Sequence, residues 1–141
     1  MEEGRVEAVP ASKPNLDDLR AVVARCLKDS HLPLDPDNKF SLVYNAARTL
    51  ALMAVAAAGY RVKHRGGGHY NTFLALKAAL GPTIDTLADY LDDCRKKRNE
   101  LCYEAAHVVT ETETEHLITK TRELQTLVEI WIAQHRPHLK P

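Results

Sequence analysis

The sequence predicts an all-α protein, a bundle of four long helices and one short one. Three observations predict it. Helix formers dominate, β-branched runs are few, and no segment alternates apolar and polar residues for long. Apolar residues recur at three- and four-residue spacings in four separate stretches. Proline and glycine fall between those stretches rather than within them.

Residues 1–14 hold two prolines and no periodicity, and read as a flexible lead-in to a bundle over residues 15–136, with 137–141 as a tail. A first helix begins near Asn15, a good N-cap, and carries Leu16, Leu19, Val22, Val23 and Cys26 on one face. Pro33 and Pro36, within His31–Asn38, make a turn. A long second helix follows from about Asn38 to Ala58, with Phe40, Val43, Tyr44, Ala47, Leu50, Ala51 and Ala54 on its apolar side and Gly59 at its end. Its alanines allow close helix–helix approach. Residues 60–70 form a basic, glycine-rich loop. The short third helix spans roughly Asn71 to Leu80 and stops at Gly81-Pro82. The fourth runs from Thr83 to about Ala106. The fifth runs from about Thr114 to Gln134 through Leu117, Leu124, Val128 and Trp131, preceded by a solvated stretch in which Glu111, Glu113 and Glu115 alternate with threonines and cap its start.

A chain of 141 residues is most simply one domain with one core. The N-terminus is acidic with no apolar centre, unlike a secretion signal. The longest apolar run, Thr49 to Tyr60, falls short of the roughly 20 residues that cross a bilayer. Three cysteines, Cys26, Cys94 and Cys102, with no CxxC pair, fit reduced thiols. These features predict a soluble cytoplasmic protein with no membrane association. The 19 basic and 19 acidic residues cancel, which argues against strong non-specific nucleic-acid binding. The cancellation hides an asymmetry. From Asn38 to Ile84 there is no Asp or Glu, while Lys39, Arg48, Arg61, Lys63, Arg65 and Lys77 are all basic. Such a stretch is either a footprint for an acidic partner or a buried alanine-rich helix with ordinary basic flanks.

The fourth helix holds the oddest residue. Ile84, Leu87, Leu91, Cys94, Leu101 and Ala105 trace one apolar stripe, broken only by Arg98. Its neighbours Arg95, Lys96 and Lys97 each have an acid one turn away: Asp92 for Arg95, Asp92 and Glu100 for Lys96, Asp93 and Glu100 for Lys97. Arg98 has none. An unpaired guanidinium on a packed face is costly, so it needs a distant side chain, a second subunit or a phosphate. The distant acids with helical placement are Asp17, Asp18, Glu123 and Glu129.

The run from Arg95 to Glu104, Arg-Lys-Lys-Arg-Asn-Glu-Leu-Cys-Tyr-Glu, resembles the signature of the HEPN superfamily, small helical bundles of bacterial toxin–antitoxin and defence systems. That signature is an arginine, a polar residue, usually asparagine, and a histidine four to six residues beyond. Arg98 and Asn99 match; four residues intervene before Tyr103, which stands in the histidine's place. The alanine-rich second helix, the turn Gly59 to Arg61 and the pair Gly68-His69 also resemble one bacterial HEPN subgroup, so the likeness covers roughly residues 15–135. The resemblance implies a dimer whose two motifs face one cleft, and a metal-independent ribonuclease in which a ribose 2′-hydroxyl attacks the adjacent phosphate. An arginine fork suits the charge that builds up there. Asn99 orients a base or the arginine through its amide.

Tyrosine is a poor general base at neutral pH, since its reference pKa is about 10. His69, in the basic loop, is the residue placed to supply an imidazole; the alternative is an ordinary loop histidine. Arg61, Lys63, His64 and Arg65 are the candidate RNA or partner contacts. No cofactor is expected: Gly66-Gly67-Gly68 lacks the lysine and hydroxyl residue of a phosphate loop. No metal is expected either, since His64 and His69 have no acid or cysteine close by. The expected partners are a second copy, RNA, and a cognate toxin, antitoxin or nucleotidyltransferase. A non-catalytic binding module of the same family is the alternative reading, and Tyr103 is the residue that favours it.

Overall fold

Helix α1 (Lys13–Asp29) starts two residues before the expected cap, because the Ser12 hydroxyl accepts from the Asn15 backbone N–H and Pro14 fits the first turn, where no amide hydrogen is needed. A computed structural model of the protein describes residues 6–63, 72–103 and 109–141, the side chains of 101–103 excepted. The second helix, α2 (Pro36–Ala57), also starts early: Pro36 opens it rather than blocking it. Gly59, at φ 95°, leaves that helix in the left-handed region that favours glycine. Helix α3 (Thr72–Leu80) ends before a 3-10 turn, Pro82–Ile84, and α4 (Asp85–Tyr103) follows it directly. Helix α5 (Glu111–His135) begins with a reciprocal cap. The Thr110 hydroxyl accepts from the Glu113 N–H, and the Glu113 carboxylate accepts from the Thr110 N–H. The expected all-α bundle is the observed one.

At the centre lies α2. It packs along α1 and α5, and against α3 and α4. Ala46, Ala47, Ala51, Ala54 and Ala57 are fully buried, and such small side chains shorten the distance between helix axes. Phe40, Val43, Leu50 and Met53 join Leu16, Leu76, Leu91, Leu117, Leu124, Val128 and Ile132 in one continuous core. By length and composition α2 is apolar enough to cross a membrane, which the count of contiguous apolar residues did not reveal. That apolarity is spent inside the protein, where 67% of its most apolar window is buried.

Among the described residues, segments of both the supposed lead-in and the supposed tail are tied down, contrary to expectation. Within the supposed lead-in, Val6–Ala8 forms a strand, β1, antiparallel to β2 (Tyr60–Val62), with Val6 opposite Val62 and Ala8 opposite Tyr60. The central pair, Glu7 and Arg61, is a cross-strand ion pair. In the supposed tail, a 3-10 turn (Pro137–Leu139) buries Leu139. Arg20 holds that turn. Its Nε and Nη2 donate to the two Glu129 carboxylate oxygens at 2.8 and 2.9 Å, Nη1 donates to Asp17 at 2.7 Å, and Nη2 donates to the Leu139 carbonyl at 2.7 Å.

Candidate functional site

The stripe on α4 buries as its spacing requires: Ile84, Leu87, Leu91 and Cys94 are all inside. Arg98 continues that line and is half-buried. Its guanidinium carbon lies 5.5 Å from the ring centre of Tyr44 on α2, a cation–π arrangement. The ring is itself fixed, because Tyr44 is 3% exposed and meets Phe73 of α3 edge-on at 6.1 Å and 69°. Three helices therefore set the position of one arginine.

No carboxylate among the described residues pairs with Arg98. Of the acids considered from sequence, Asp17 and Glu129 are held by Arg20, and Glu123 by Lys120. Asp18 is exposed on α1. A buried cross-link from Arg98 to one of these is therefore not what the fold builds.

Burial pushes the Tyr44 hydroxyl above its usual pKa, and Arg48, Arg98 and Arg95 pull against that rise while Asp92 adds to it. Tyr44 and Arg48 stand one turn apart on α2, on one face. Arg95 is anchored by its own helix, its Nε donating to Asp92 Oδ1 at 2.8 Å. Arg48, like Arg98, has no carboxylate partner among the described residues. The site is thus a half-buried arginine over a buried aromatic ring, with Arg48 one helical turn along α2 from that ring. Sequence reasoning found Arg98 but not Tyr44 or Arg48. The available signal was an arginine one turn after a tyrosine on an apolar face in an acid-free segment.

The remaining candidates fall in several places. Asn99 follows Arg98 and is exposed; Tyr103 ends α4, with its side chain outside the described residues. His64, Arg65 and His69 also lie outside the described residues. Arg61 and Lys63 belong to another surface. They line an open groove of about 1080 Å³ whose floor is Leu19, Leu52, Val55 and Ala56. Arg61 is engaged there by Glu7. The strand that carries it packs on α2 and β1, whereas α4 packs chiefly on α2 and α3.

Lys97 departs from the helix-local pairing expected of it. It bonds Glu113 of α5, and that contact holds the Glu113 carboxyl below its usual pKa. Beside it, Phe40, Tyr90, Cys94 and His116 line a small cleft of about 230 Å³. Burial pushes the Cys94 thiol up to about 11, so it is protonated at neutral pH and acts as a packed side chain. Among the described residues no group of three His, Cys, Asp or Glu is placed to hold a metal ion.

No family model, curated protein or solved structure matches this chain.

Proposed function

We propose that this chain is a HEPN-type helical protein whose Arg98–Asn99…Tyr103 site handles RNA phosphate at the interface of a homodimer, as a metal-independent endoribonuclease of a cytoplasmic toxin–antitoxin or defence system. One observation carries the reading: Arg98 is half-buried on a packed stripe, is steadied by the Tyr44 ring, and has no carboxylate partner among the described residues. A guanidinium in that state keeps its donors for a phosphate, and its planar fork matches two phosphate oxygens. The signature residues Arg98 and Asn99 sit on that same helix, with Tyr103 at its end. Their likeness to the HEPN motif is the support for the family and for the dimer.

A second reading rests on Tyr103. With a phenol where the motif has an imidazole, the same site binds RNA, a cognate toxin or antitoxin, or a nucleotidyltransferase without cleaving anything.

Labelled RNA incubated with the pure protein, with and without a chelator, separates the two. Cleavage that survives chelation and disappears in Arg98→Ala and His69→Ala supports the enzyme. Binding without cleavage, weakened by Arg98→Ala, supports the module. If Arg98→Ala changes neither binding nor cleavage, the site is wrongly assigned.

A further inference from the structure

We infer that the groove beside the β-ribbon binds a free fatty acid, its alkyl chain on the apolar floor and its carboxylate on Lys63. This site is separate from Arg98 and stands whether or not that residue handles RNA.

The floor is a seam in the core. The buried apolar residues form two clusters, a main one drawn from all five helices and a small one of Val55, Val62 and Ala75. The groove touches both. Ala11, Leu19 and Ala56 pack against the main cluster and Leu52 against the small one, and all four line the groove together with Val55 and Val62. Leu52, Val55 and Ala56 stand three and four positions apart on α2, so they make one apolar strip, which Leu19 of α1 widens. Leu19, Leu52 and Ala56 are only half-buried, which leaves the strip in contact with water. A flexible alkyl chain laid there joins the two clusters, and each methylene it takes out of water strengthens binding. At about 1080 Å³ the space lies just above the roughly 300–1000 Å³ usual for one small ligand.

The rim selects the head group. Three charged side chains line the groove: Glu7, Arg61 and Lys63. Glu7 and Arg61 pair across the ribbon and cancel. Lys63 is half-buried, has no carboxylate partner among the described residues, and directly follows Val62 of the floor. The surplus is therefore one positive charge beside an apolar strip. A carboxylate brings one negative charge to it. A phosphomonoester carries about −1.5 to −2 at neutral pH and exceeds what Lys63 can neutralise. A neutral lipid leaves the ammonium group without a partner.

The test titrates the full chain with laurate below its micelle concentration, with decanoate and with methyl laurate. Laurate should bind at one site, decanoate about fivefold more weakly for its two missing methylenes, and the ester about fivefold more weakly for its missing charge. The advantage of laurate over its ester should vanish in Lys63→Gln and persist in Arg122→Gln, on the exposed side of α5. Methyl resonances of Leu19, Leu52 and Val55 should shift as laurate is added. Thermal melts matching the parent confirm that both variants fold. No binding of laurate, a full preference for it in Lys63→Gln, or shifts confined to other methyls overturns the proposal. Binding seen only with phosphatidylserine vesicles, or only with an acidic amphipathic peptide, also overturns it.

Discussion

Replacing Tyr44 by leucine and by phenylalanine tests whether the face of its ring, rather than its hydroxyl, is what fixes Arg98. The ring is 3% exposed, meets Phe73 at 6.1 Å and carries the Arg98 guanidinium at 5.5 Å. Leucine forfeits the aromatic pair, worth about 1 kcal/mol. It also forfeits the cation–π contact, about 1 kcal/mol at a half-buried site. The missing ring atoms leave a void costing roughly another 1 kcal/mol. Together Tyr44→Leu should lose about 3 kcal/mol, which for a domain of this size lowers Tm by roughly 10 °C. Tyr44→Phe keeps both ring contacts and should stay within about 1 kcal/mol of the parent. Thermal melts followed by far-UV circular dichroism measure the first comparison, and RNA anisotropy below both melting points measures the second. With the ring gone, Arg98 samples more rotamers, so Tyr44→Leu should weaken RNA binding several-fold while Tyr44→Phe does not. If the phenylalanine variant is as impaired as the leucine variant in either assay, the hydroxyl is the operative group and the account of Arg98 fails.

Three further outcomes are expected. Arg20→Ala should cost about 2 kcal/mol, between the values for exposed and buried pairs, because Arg20 is 13% exposed and Glu129 28%; a melt unchanged from the parent would show the four-bond cluster to be idle. Thr121→Val should raise stability by about 1 kcal/mol, since the Thr121 hydroxyl is fully buried with no hydrogen-bond partner among the described residues, and a lower Tm would contradict this. The Glu113 carboxyl is held below its ordinary value of 4.5, first by Lys97 and also by the Thr110 N–H. A depressed folded value means the stabilisation is present above about pH 4.5 and is lost as pH falls through the folded value. Glu113→Gln should therefore flatten the acid limb of a Tm-against-pH curve, and an unaltered limb would refute the link between α4 and α5.

The helices were legible because each buries a face whose spacing is written in the chain. The stripe Ile84, Leu87, Leu91, Cys94 named the one arginine worth following. What escaped was everything decided between elements. A three-residue strand has too little periodicity to announce itself, so Val6–Ala8 passed for a lead-in. The start of α1 went to Ser12 rather than Asn15, although a serine two residues ahead of a proline was the available sign. Lys97 had two acids within reach on its own helix and chose Glu113 on another. Tyr44 was placed correctly on the apolar side of α2, yet a one-dimensional pattern cannot say that its face meets an arginine more than fifty positions away.

The β1–β2 ribbon has a consequence for the order in which the molecule assembles. It joins three facing pairs, of which the central one, Glu7 and Arg61, lies 54 positions apart, and so short a ladder cannot by itself offset the entropy of closing that loop. The α1–α2 hairpin, made of near neighbours in sequence, must come first and hold Gly59 and Tyr60 where an incoming strand can dock. The ribbon is then added after that hairpin and detaches before it. In native-state hydrogen exchange, the Val9 amide, which donates to the Gly59 carbonyl at 2.8 Å, should open at a free energy well below that of the buried amides of α2. Each such opening also widens the 1080 Å³ groove, since Glu7 of that strand and Val9 beside it line one side of it.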